Sequence, residues 1–431
     1  MSDNKQKGKQ EQKRHKMLDA TKSLKNIMGR HYLAIEQAYR EGKPTAWATS
    51  GSPVELLYAM KVQPMLPENS ATMSAAQHLS KDLIEVAEEQ GFSYDLCSYF
   101  KTNIGAVSEG INTFKGGIRK PTFMLATDVI CDTHVDWFQT QGERMDVPVY
   151  IVDVPHVVSN MNQKQYTYYK EYVEEQLWGL MDFIEEQTGN ELDMDHARKV
   201  AENSYKLSEV WRDIYDLRKE VPSPISTRDT FGGLFPLFTM PGLKPPIKLY
   251  RRMYKEAKER VEAGIGALPN EEFRLGFEGI PFWYNLKYFA MLEKFNAIIV
   301  YEPYTFAFAK FFSNPFEEIS KERLLKDPIE AMSSLMLSFW YIFDLETRIK
   351  WFKQTTEDWK IDGWILHNNV SCRPNTATIY DLKRHLQEDY DIPCLIIDAD
   401  QNDPRKFNET QVSNRIESFI EILRERKQPK V

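Results

Sequence analysis

The feature that most constrains the fold is the regular alternation of short apolar runs with helical stretches. Four such runs lie at 45–50 (TAWATS), 93–100 (SYDLCSYF), 121–130 (PTFMLATDVI) and 147–154 (VPVYIVDV), and amphipathic segments separate them. This alternation is typical of βαβ units, in which crossover helices join parallel strands. It predicts a first α/β domain over residues 29–156.

The pattern becomes helical between residues 157 and 270. Two long stretches, 165–189 and 197–221, have helical periodicity and contain no convincing strand. A loop rich in Pro and Gly at 221–246 follows, and then a further helix at 248–265. We predict a helical segment over 157–270, with the loop, Phe231 to Pro246 in particular, as a flexible wall of a cavity.

The strand and helix alternation returns after residue 271. Apolar runs at 275–282, 296–304, 362–370 and 392–400 predict a second α/β domain over 271–431, which ends in a helix at 412–427. The expected fold is therefore α/β, with two Rossmann-like parallel-sheet domains, a helical insert and terminal helices. Residues 1–28 are rich in Lys and Gln, and we interpret them as a mobile basic tail.

Composition and charge argue against several classes of protein. With 431 residues and 42% hydrophobic side chains, the chain is able to bury a sizeable core. The net charge of −8 argues against a nucleic-acid partner, which calls for a basic face. The longest apolar run, Leu335 to Phe343, is too short to span a bilayer, and the N-terminus has no apolar signal region. We expect a soluble, cytoplasmic protein with no membrane partner.

The four cysteines, at positions 97, 131, 372 and 394, are too few for a disulfide framework. Cys97, Cys131 and Cys372 each fall at or shortly after the end of a predicted strand, where ligands bind in parallel α/β sheets. No CxxC spacing supports a metal site locally, so spacing alone favours ordinary buried cysteines. Cys394 lies inside an apolar strand and has the clearest structural role.

Motifs for nucleotides and zinc are missing from the chain. There is no GxxxxGK[ST] segment, no GxGxxG after a candidate strand, and no HExxH. We therefore expect no ATP site and no dinucleotide site of these kinds in this chain.

Two further segments have both a structural and a functional interpretation. Ser50, Gly51 and Ser52 form a small-residue turn before a helix that carries Glu55 in its first turn. The structural interpretation is that the segment caps the helix. The functional interpretation is that the tight turn lets a thioester substrate approach, with Glu55 as an acid or base. His367 ends a predicted strand five residues before Cys372. Either its ring forms hydrogen bonds with nearby backbone groups, or it has a catalytic role.

Several stretches resemble the benzoyl-CoA reductase and 2-hydroxyacyl-CoA dehydratase family. They run in order from about residue 45 to 428 and include WATSGSPVELLYA, EEQGFSYDLCSYFKTNIGA, GIPFWYNL, AIIVYEPY, DGWILHNNVSCR, IPCLIIDADQNDPR and NRIESFIEIL, together with the strand before Cys131. MKVQPMLPENSATMSAAQ and GFSYDLCSYFKTNIGA are most similar to B subunits of the ATP-dependent reductases in this family.

The resemblance implies a cofactor and partners. Cys97, Cys131 and Cys372 would ligate one four-iron, four-sulfur (4Fe-4S) cluster at the junction of the two α/β halves, with one iron lacking a protein thiolate. A related, C-type cluster-bearing subunit would be the partner, and activator-like subunits would bind ATP and Mg. Ferredoxin would supply the electrons.

The resemblance also implies a reaction. Benzoyl-CoA would be reduced by two electrons to cyclohexa-1,5-diene-1-carbonyl-CoA in anaerobic aromatic degradation. Glu55 or His367 would donate a proton, and Ser50, Gly51 and Ser52 would bind the substrate. Two alternatives stay open: a subunit of a radical 2-hydroxyacyl-CoA dehydratase, which recycles its electron and eliminates water, and a non-catalytic scaffold with the same fold. The cysteines do not separate a reductase from a dehydratase.

Overall fold

The computed structural model describes residues 17–110, 119–312, 314 and 316–428, and its described strands form two parallel four-stranded sheets. The first sheet contains β1 (Thr45–Ala48), β2 (Gln63–Met65), β3 (Phe123–Thr127) and β4 (Val149–Val152). The second contains β5 (Phe273–Glu278), β6 (Ala297–Tyr301), β7 (Gly363–Asn369) and β8 (Cys394–Ala399). The predicted α/β fold with two parallel-sheet domains is therefore confirmed.

Helices cover both sheets and fill the segment between them. In chain order they are α1 (Asp19–Lys22), α2 (Leu24–Arg40), α3 (Val54–Ala59), α4 (Pro67–Ala76), α5 (Ser80–Glu89), α6 (Ser98–Glu109), α7 (Thr133–Met145), α8 (Gln163–Thr188), α9 (Met194–Leu217), α10 (Thr227–Gly233), α11 (Phe235–Thr239), α12 (Lys244–Glu262), α13 (Pro303–Phe306), α14 (Lys321–Lys326), α15 (Pro328–Met336), α16 (Leu345–Asp358), α17 (Arg373–Thr376), α18 (Ile379–Tyr390) and α19 (Glu409–Lys427). Short 3₁₀ segments lie at Trp283–Phe295, Lys310–Phe312, Trp340–Ile342 and Pro404–Lys406. Within the described ranges, no helix combines the length and the apolar character that crossing a bilayer requires.

The two sheets share one strand order. The first is β2-β1-β3-β4 and the second is β6-β5-β7-β8, so each sheet reverses direction between its first and third strands. At such a switch point the loops after the two strands diverge and leave a crevice for ligands. Here these are the loops after β1 and β3 in one sheet, and those after β5 and β7 in the other. This topology positions the candidate site.

Two strand predictions in the first domain differ from the structure. The run at 93–100 is not a strand, because α6 begins at Ser98 and the residues before it form a turn. Phe100 of this helix stacks on Trp137 of α7, with ring centroids 5.8 Å apart, so helix packing explains the apolar pattern. The strand that the sequence pattern missed is β2, only three residues long, which pairs with β1.

The N-terminal prediction also needs correction. Residues 1–16 of the predicted tail lie outside the described residues, but residues 17–28 belong to the folded structure. Leu18 is fully buried, and its backbone N–H donates a hydrogen bond to Asp229 Oδ1 at 2.9 Å. The Lys-rich composition concealed Leu18, Ala20 and Leu24, which pack into the core.

A buried polar loop after β8 joins the two sheet domains. Residues 400–403 are fully buried although all four are polar. Asn402 accepts a hydrogen bond from Ser80 through its carbonyl at 2.7 Å and donates through its side chain to Thr102 at 2.7 Å. Nearby, Arg405 forms two hydrogen bonds with the Glu88 carboxylate, at 3.0 and 2.9 Å. These contacts hold the second domain against α5 and α6 of the first.

A buried ion pair anchors the helical insert to the second sheet. Arg218, at the end of α9, donates two hydrogen bonds to Glu302, which follows β6, at 2.6 and 2.8 Å. Both side chains are fully buried. Tyr215 also donates to Glu302, at 2.7 Å. Burial alone would raise the pKa of Glu302, but Arg218 outweighs it and lowers the pKa, so the carboxylate is charged.

We predict that Arg218→Met destabilises the protein by about 3–5 kcal/mol, because it leaves an uncompensated buried carboxylate. Urea-induced unfolding followed by circular dichroism measures the change. The control is Arg384→Met, which removes a solvent-exposed partner of Asp381 and should cost about 0.5 kcal/mol or less. Equal unfolding midpoints for the two variants would contradict the anchoring role.

Candidate functional site

Three of the four cysteines lie near the junction of the two domains, where their sequence neighbours form cross-domain hydrogen bonds, Ser98 with Ser371 and Asp132 with Arg373. Cys97 directly precedes α6, Cys131 lies shortly after β3, and Cys372 lies shortly after β7. Burial raises the pKa of Cys97 well above its ordinary value, and the charges of Cys372 and Cys131 raise it further. Burial also raises the pKa of Cys372 to about 12, with Cys131 adding to the shift. The structure therefore brings the three predicted ligands within electrostatic range of one another.

Hydrogen-bond donors surround the sulfur atoms. Gln401 Nε2 lies 3.7 Å from Cys97 Sγ, and Asn375 Nδ2 lies 3.0 Å from Cys372 Sγ. Backbone N–H groups of Phe100 and Tyr99, in the first turn of α6, act on Cys97 and lower its pKa against the effect of burial. Donors of this kind stabilise thiolates, and so does the N-terminus of a helix.

The fourth cysteine is separate from this group. Cys394 is buried in β8, its thiol lies 3.5 Å from the carbonyl oxygen of Ile392, and burial raises its pKa to about 12. It packs in the hydrophobic core, as its position in an apolar run predicts. In the part of the chain that the structure describes, no set of three or more His, Cys, Asp or Glu side chains is arranged to hold a metal ion.

A cavity of about 150 Å³ lies beside the cysteines. Its polar end is formed by Ser50 and Glu68, and its walls are mostly aromatic and apolar: Met28, Met73, Ala76, Tyr99, Phe231, Leu234, Phe235, Phe238, Trp283, Leu286 and Tyr304. Burial raises the pKa of Tyr304, and the charges of Glu68 and Cys372 raise it further. Tyr304 thus faces both the cavity and the cysteine group. The Pro- and Gly-rich segment predicted as a cavity wall contributes Phe231 to Phe238.

The three residues of the predicted substrate-binding turn have two different roles. Ser50 lines the cavity, and both its backbone N–H and its side chain form hydrogen bonds with the Glu68 carboxylate. Gly51 has φ +87°, and a Cβ there would lie 2.4 Å from a methyl group of Val129, so the turn packs tightly against the loop that leads to Cys131. Ser52 is buried and its hydroxyl lies 3.0 Å from that of Thr49. Gly51 and Ser52 therefore shape the turn, and Ser50 is the member that reaches the cavity.

A buried pair of Glu68 and His134, which the sequence analysis did not single out, connects the cavity to Cys131. His134 Nε2 lies 2.9 Å from Glu68 Oε1. Burial alone would lower the pKa of His134, but the charges of Cys131 and Glu68 raise it well above its ordinary value. Burial would raise the pKa of Glu68, but His134 and Ser50 lower it. The two side chains therefore form an ion pair at neutral pH.

A signal for this pair was present in the sequence. Glu68 lies within the stretch at 60–77 that carries part of the family resemblance, and His134 follows Cys131 by three residues. A single Glu or His on a helix is ordinarily a surface residue, so spacing did not identify either.

The two predicted proton donors, Glu55 and His367, do not line the cavity. Glu55 is buried against α9 and accepts hydrogen bonds from Ser204 and Lys310. Burial would raise its pKa, but Lys310 outweighs burial and lowers it, so Glu55 is a carboxylate without a proton. The predicted role of Glu55 as proton donor thus lacks the geometry and the charge state that it needs.

His367 is buried beneath the cavity region in an aromatic environment. Its Nδ1–H donates to the Ile280 carbonyl at 2.6 Å, and its ring meets that of Phe282 edge-on at 4.7 Å. Burial lowers its pKa to about 4, so the ring is neutral at pH 7 and its one proton is already donated. The structure therefore favours the interpretation in which a backbone group accepts the hydrogen bond of His367, and it does not support a catalytic role.

A second, more open cleft has a volume of about 470 Å³. Cys131, Tyr341, Arg348 and Arg373 are among its lining residues. Arg348 is held in place by Glu278, at 2.8 Å. The charge of Cys372 contributes to raising the pKa of Tyr341, after burial and Glu278. Cys131 therefore lines this cleft, while Tyr304 in the wall of the aromatic cavity lies within electrostatic range of Cys372.

Comparison with known proteins shows which family these features belong to. The family model for the 2-hydroxyglutaryl-CoA dehydratase D-component matches residues 49–423. The (R)-2-hydroxyisocaproyl-CoA dehydratase alpha subunit of Clostridioides difficile is 26% identical over 411 residues, which cover 94% of this chain and 96% of that protein. The (R)-phenyllactyl-CoA dehydratase alpha subunit of Clostridium sporogenes is also 26% identical, over 94% of this chain and 98% of that protein.

The B subunit of benzoyl-CoA reductase from Thauera aromatica is similar at the same level. It is 25% identical over 389 residues, which cover 86% of this chain and 86% of that protein. Both branches of the resemblance named from the sequence are therefore found among the relatives.

We predict that His367 makes the protein less stable as the pH falls. Above about pH 6.5 the imidazole is neutral in both the folded and the unfolded state. Between pH 6.5 and 4 the unfolded chain takes up a proton that the folded state, with a pKa of about 4, does not accept. The loss amounts to about 3 kcal/mol at the lower end.

The measurement is urea unfolding between pH 7 and 4.5. His367→Gln should show a shallower loss of stability than wild type over this range. His385→Gln, at a solvent-accessible position beside Asp389, is the comparison variant. An unchanged pH dependence in His367→Gln would contradict the buried, neutral state.

Proposed function

Because the chain belongs to the 2-hydroxyglutaryl-CoA dehydratase D-component family, we propose that it is a subunit of a hetero-oligomeric enzyme that acts on a CoA thioester. More specifically, we propose that it is the cluster-bearing subunit of a cytoplasmic, ATP- and ferredoxin-dependent benzoyl-CoA reductase. The observation that carries this proposal is the aromatic cavity of about 150 Å³ beside the cysteines. An apolar cavity of about this volume is known to accommodate one benzene ring.

The three converging cysteines support a 4Fe-4S cluster as the cofactor. Cys97, Cys131 and Cys372 would hold it, and neighbouring, partly buried thiols that repel one another as thiolates are stabilised when iron supplies the missing positive charge. Iron–sulfur clusters use cysteine thiolates, and N–H donors to the sulfurs tune their potential. The cluster would supply electrons at low potential. Three protein thiolates leave one position for a ligand that is not a cysteine.

The residues of the cavity account for the rest of the chemistry. The aromatic walls exclude water and hold an apolar acyl group, and Ser50 and Glu68 mark the polar end. His134 Nε2 donates to Glu68, and Glu68 lines the cavity, so this pair places a proton next to the cavity wall. A reduced ring must take up protons, so we assign the proton store to this pair rather than to Glu55 or His367.

Other components complete the proposed complex. A related C-type subunit would pair with this chain, and activator-like subunits would bind ATP and Mg. Ferredoxin would deliver the electrons. Hydrolysis of ATP by the activator would supply driving force that ferredoxin alone lacks for reduction of an aromatic ring.

Iron content tests the proposed ligands. We expect about four iron and four acid-labile sulfide per chain in the wild-type complex purified without oxygen, and a loss of both in Cys131→Ser. The matched control is Cys394→Ser, which removes a thiol of the core and should keep the full iron content. Wild-type protein without iron, or Cys131→Ser with unchanged iron, would overturn the assignment and favour the scaffold interpretation.

The second candidate is a radical 2-hydroxyacyl-CoA dehydratase. The observation in its favour is that two dehydratase alpha subunits align over 96% and 98% of their length, against 86% for the reductase relative.

Consumption of reductant separates the two candidates. We expect the complete complex to consume two electrons of reduced ferredoxin for each benzoyl-CoA converted, because every turnover reduces the ring. A dehydratase would need reductant only to start, and then convert many molecules of a 2-hydroxyacyl-CoA. Turnover of (R)-2-hydroxyisocaproyl-CoA with catalytic amounts of reductant, and none of benzoyl-CoA, would refute the reductase proposal.

A further inference from the structure

One hydroxyl group in the cavity, that of Tyr304, is not engaged by any residue that the structure describes. Other polar side chains of the wall are engaged: Asn69 donates to the hydroxyl of Tyr32, Trp283 donates to the hydroxyl of Tyr99, and Thr72 donates to a carbonyl one turn back, at 2.9 Å. The Ser50 side chain is engaged with Glu68. The Tyr304 hydroxyl has no hydrogen-bond partner among the described residues. A donor left over in an apolar cavity indicates a ligand that accepts it.

Tyr304 is held rigidly although its hydroxyl has no partner in the part of the chain that the structure describes. It lies in α13, shortly after Glu302, and the buried pair of Glu302 with Arg218 fixes the turn that leads out of β6. Its half-buried ring meets that of Phe308 edge-on, with centroids 6.2 Å apart. A rigid support with a free donor at its tip is the arrangement that positions a ligand.

The surroundings of Tyr304 restrict what the hydroxyl can bind. The charges of Glu68 and Cys372 reach it, and the ionisable hydroxyls of Tyr99 and Tyr341 also lie within electrostatic range. Glu68 is ionised and can only accept hydrogen bonds, so it would repel a carbonyl oxygen of a substrate. A carbonyl oxygen placed between the cysteine group and the aromatic walls therefore needs a donor other than Glu68.

We propose that Tyr304 contacts the substrate directly, with its hydroxyl donating a hydrogen bond to the thioester carbonyl oxygen of the bound acyl-CoA. This inference rests on the proposed function, since it requires a CoA thioester in the cavity. It does not depend on the choice between reductase and dehydratase, because both candidate substrates carry the same carbonyl. The hydrogen bond strengthens as negative charge builds up on the oxygen, as in an oxyanion hole.

Infrared spectroscopy of the bound carbonyl tests the contact without turnover. The probe is benzoyl-CoA labelled with 13C at the carbonyl carbon, bound to the complete complex in the absence of reductant. In wild type we expect the carbonyl band at lower frequency than in an aprotic solvent, because the oxygen accepts a hydrogen bond. In Tyr304→Phe the band should return towards the aprotic value, since only the hydroxyl is lost.

Tyr341→Phe is the matched control. Tyr341 is also influenced by the charge of Cys372, but it lines the open cleft rather than the cavity, and its hydroxyl lies 3.4 Å from Asn375 Oδ1. Its loss should leave the carbonyl band at the wild-type frequency. An equal shift in both variants would mean that the effect comes from the cysteine group and would overturn the inference.

Kinetics give a second readout. We expect Tyr304→Phe to lower kcat about a hundredfold, as does the loss of one oxyanion-hole donor, and to change the Kd for benzoyl-CoA by less than about tenfold. If the carbonyl band and the kcat of Tyr304→Phe both match those of wild type, the role of Tyr304 is refuted and the proposed function is unaffected. A shifted band in a wild-type complex that does not reduce benzoyl-CoA would support the contact and refute the reductase.

The same spectra with carbonyl-labelled (R)-2-hydroxyisocaproyl-CoA cover the dehydratase candidate. A band shift that depends on Tyr304 with this substrate supports the contact equally. Absence of binding by both thioesters would overturn the inference together with the proposed function.

Discussion

The geometry of the site depends on a buried contact between the two domains. The backbone N–H of Ser98 donates to the Ser371 hydroxyl at 3.2 Å, and that hydroxyl in turn donates to the Asp400 carboxylate. Ser98 directly follows Cys97, and Ser371 directly precedes Cys372. A polar group that is buried this deeply and left without a partner costs about 1–3 kcal/mol. This cost favours the arrangement of the two domains that completes the chain of hydrogen bonds. The relative placement of two cysteines from different domains follows from it.

The same junction separates two environments of opposite character. On one side the cavity is aromatic, and the charges near it are neutralised in the pair of Glu68 and His134. On the other side the cleft carries arginines and opens to solvent. A low dielectric strengthens every electrostatic interaction in the cavity, so a donor such as Tyr304 or a proton on His134 has a larger effect there than in water. A thioester bound in the cavity would be shielded, while the cysteines remain close to the open cleft.

The structure also explains which predictions from sequence were correct. Most strands were predicted because parallel strands buried on both faces are continuous apolar runs, as in β3 and β6. The strand β2 has three residues and escaped detection, and the run at 93–100 was mistaken for a strand because helix packing uses the same apolar residues. Of the candidate site, the cysteines were predicted through family resemblance and Ser50 through its turn. Glu68, His134 and Tyr304 were not found, since each lies on a helix or turn whose local pattern is ordinary.

The sequence by itself determined the two α/β halves, the helical insert and the placement of Cys131 and Cys372 shortly after strand ends. These properties are local, because hydrophobic periodicity and chain position decide them. Only the tertiary structure decided that the three cysteines meet, that Glu68 pairs with His134, and that Glu55 and His367 are held away from the cavity. Those outcomes depend on contacts between residues far apart in the chain, such as Ser98 and Ser371, 273 residues apart. Contacts between the helices and loops of the two domains bring the segments that carry these cysteines together, and no local sequence pattern predicts those contacts.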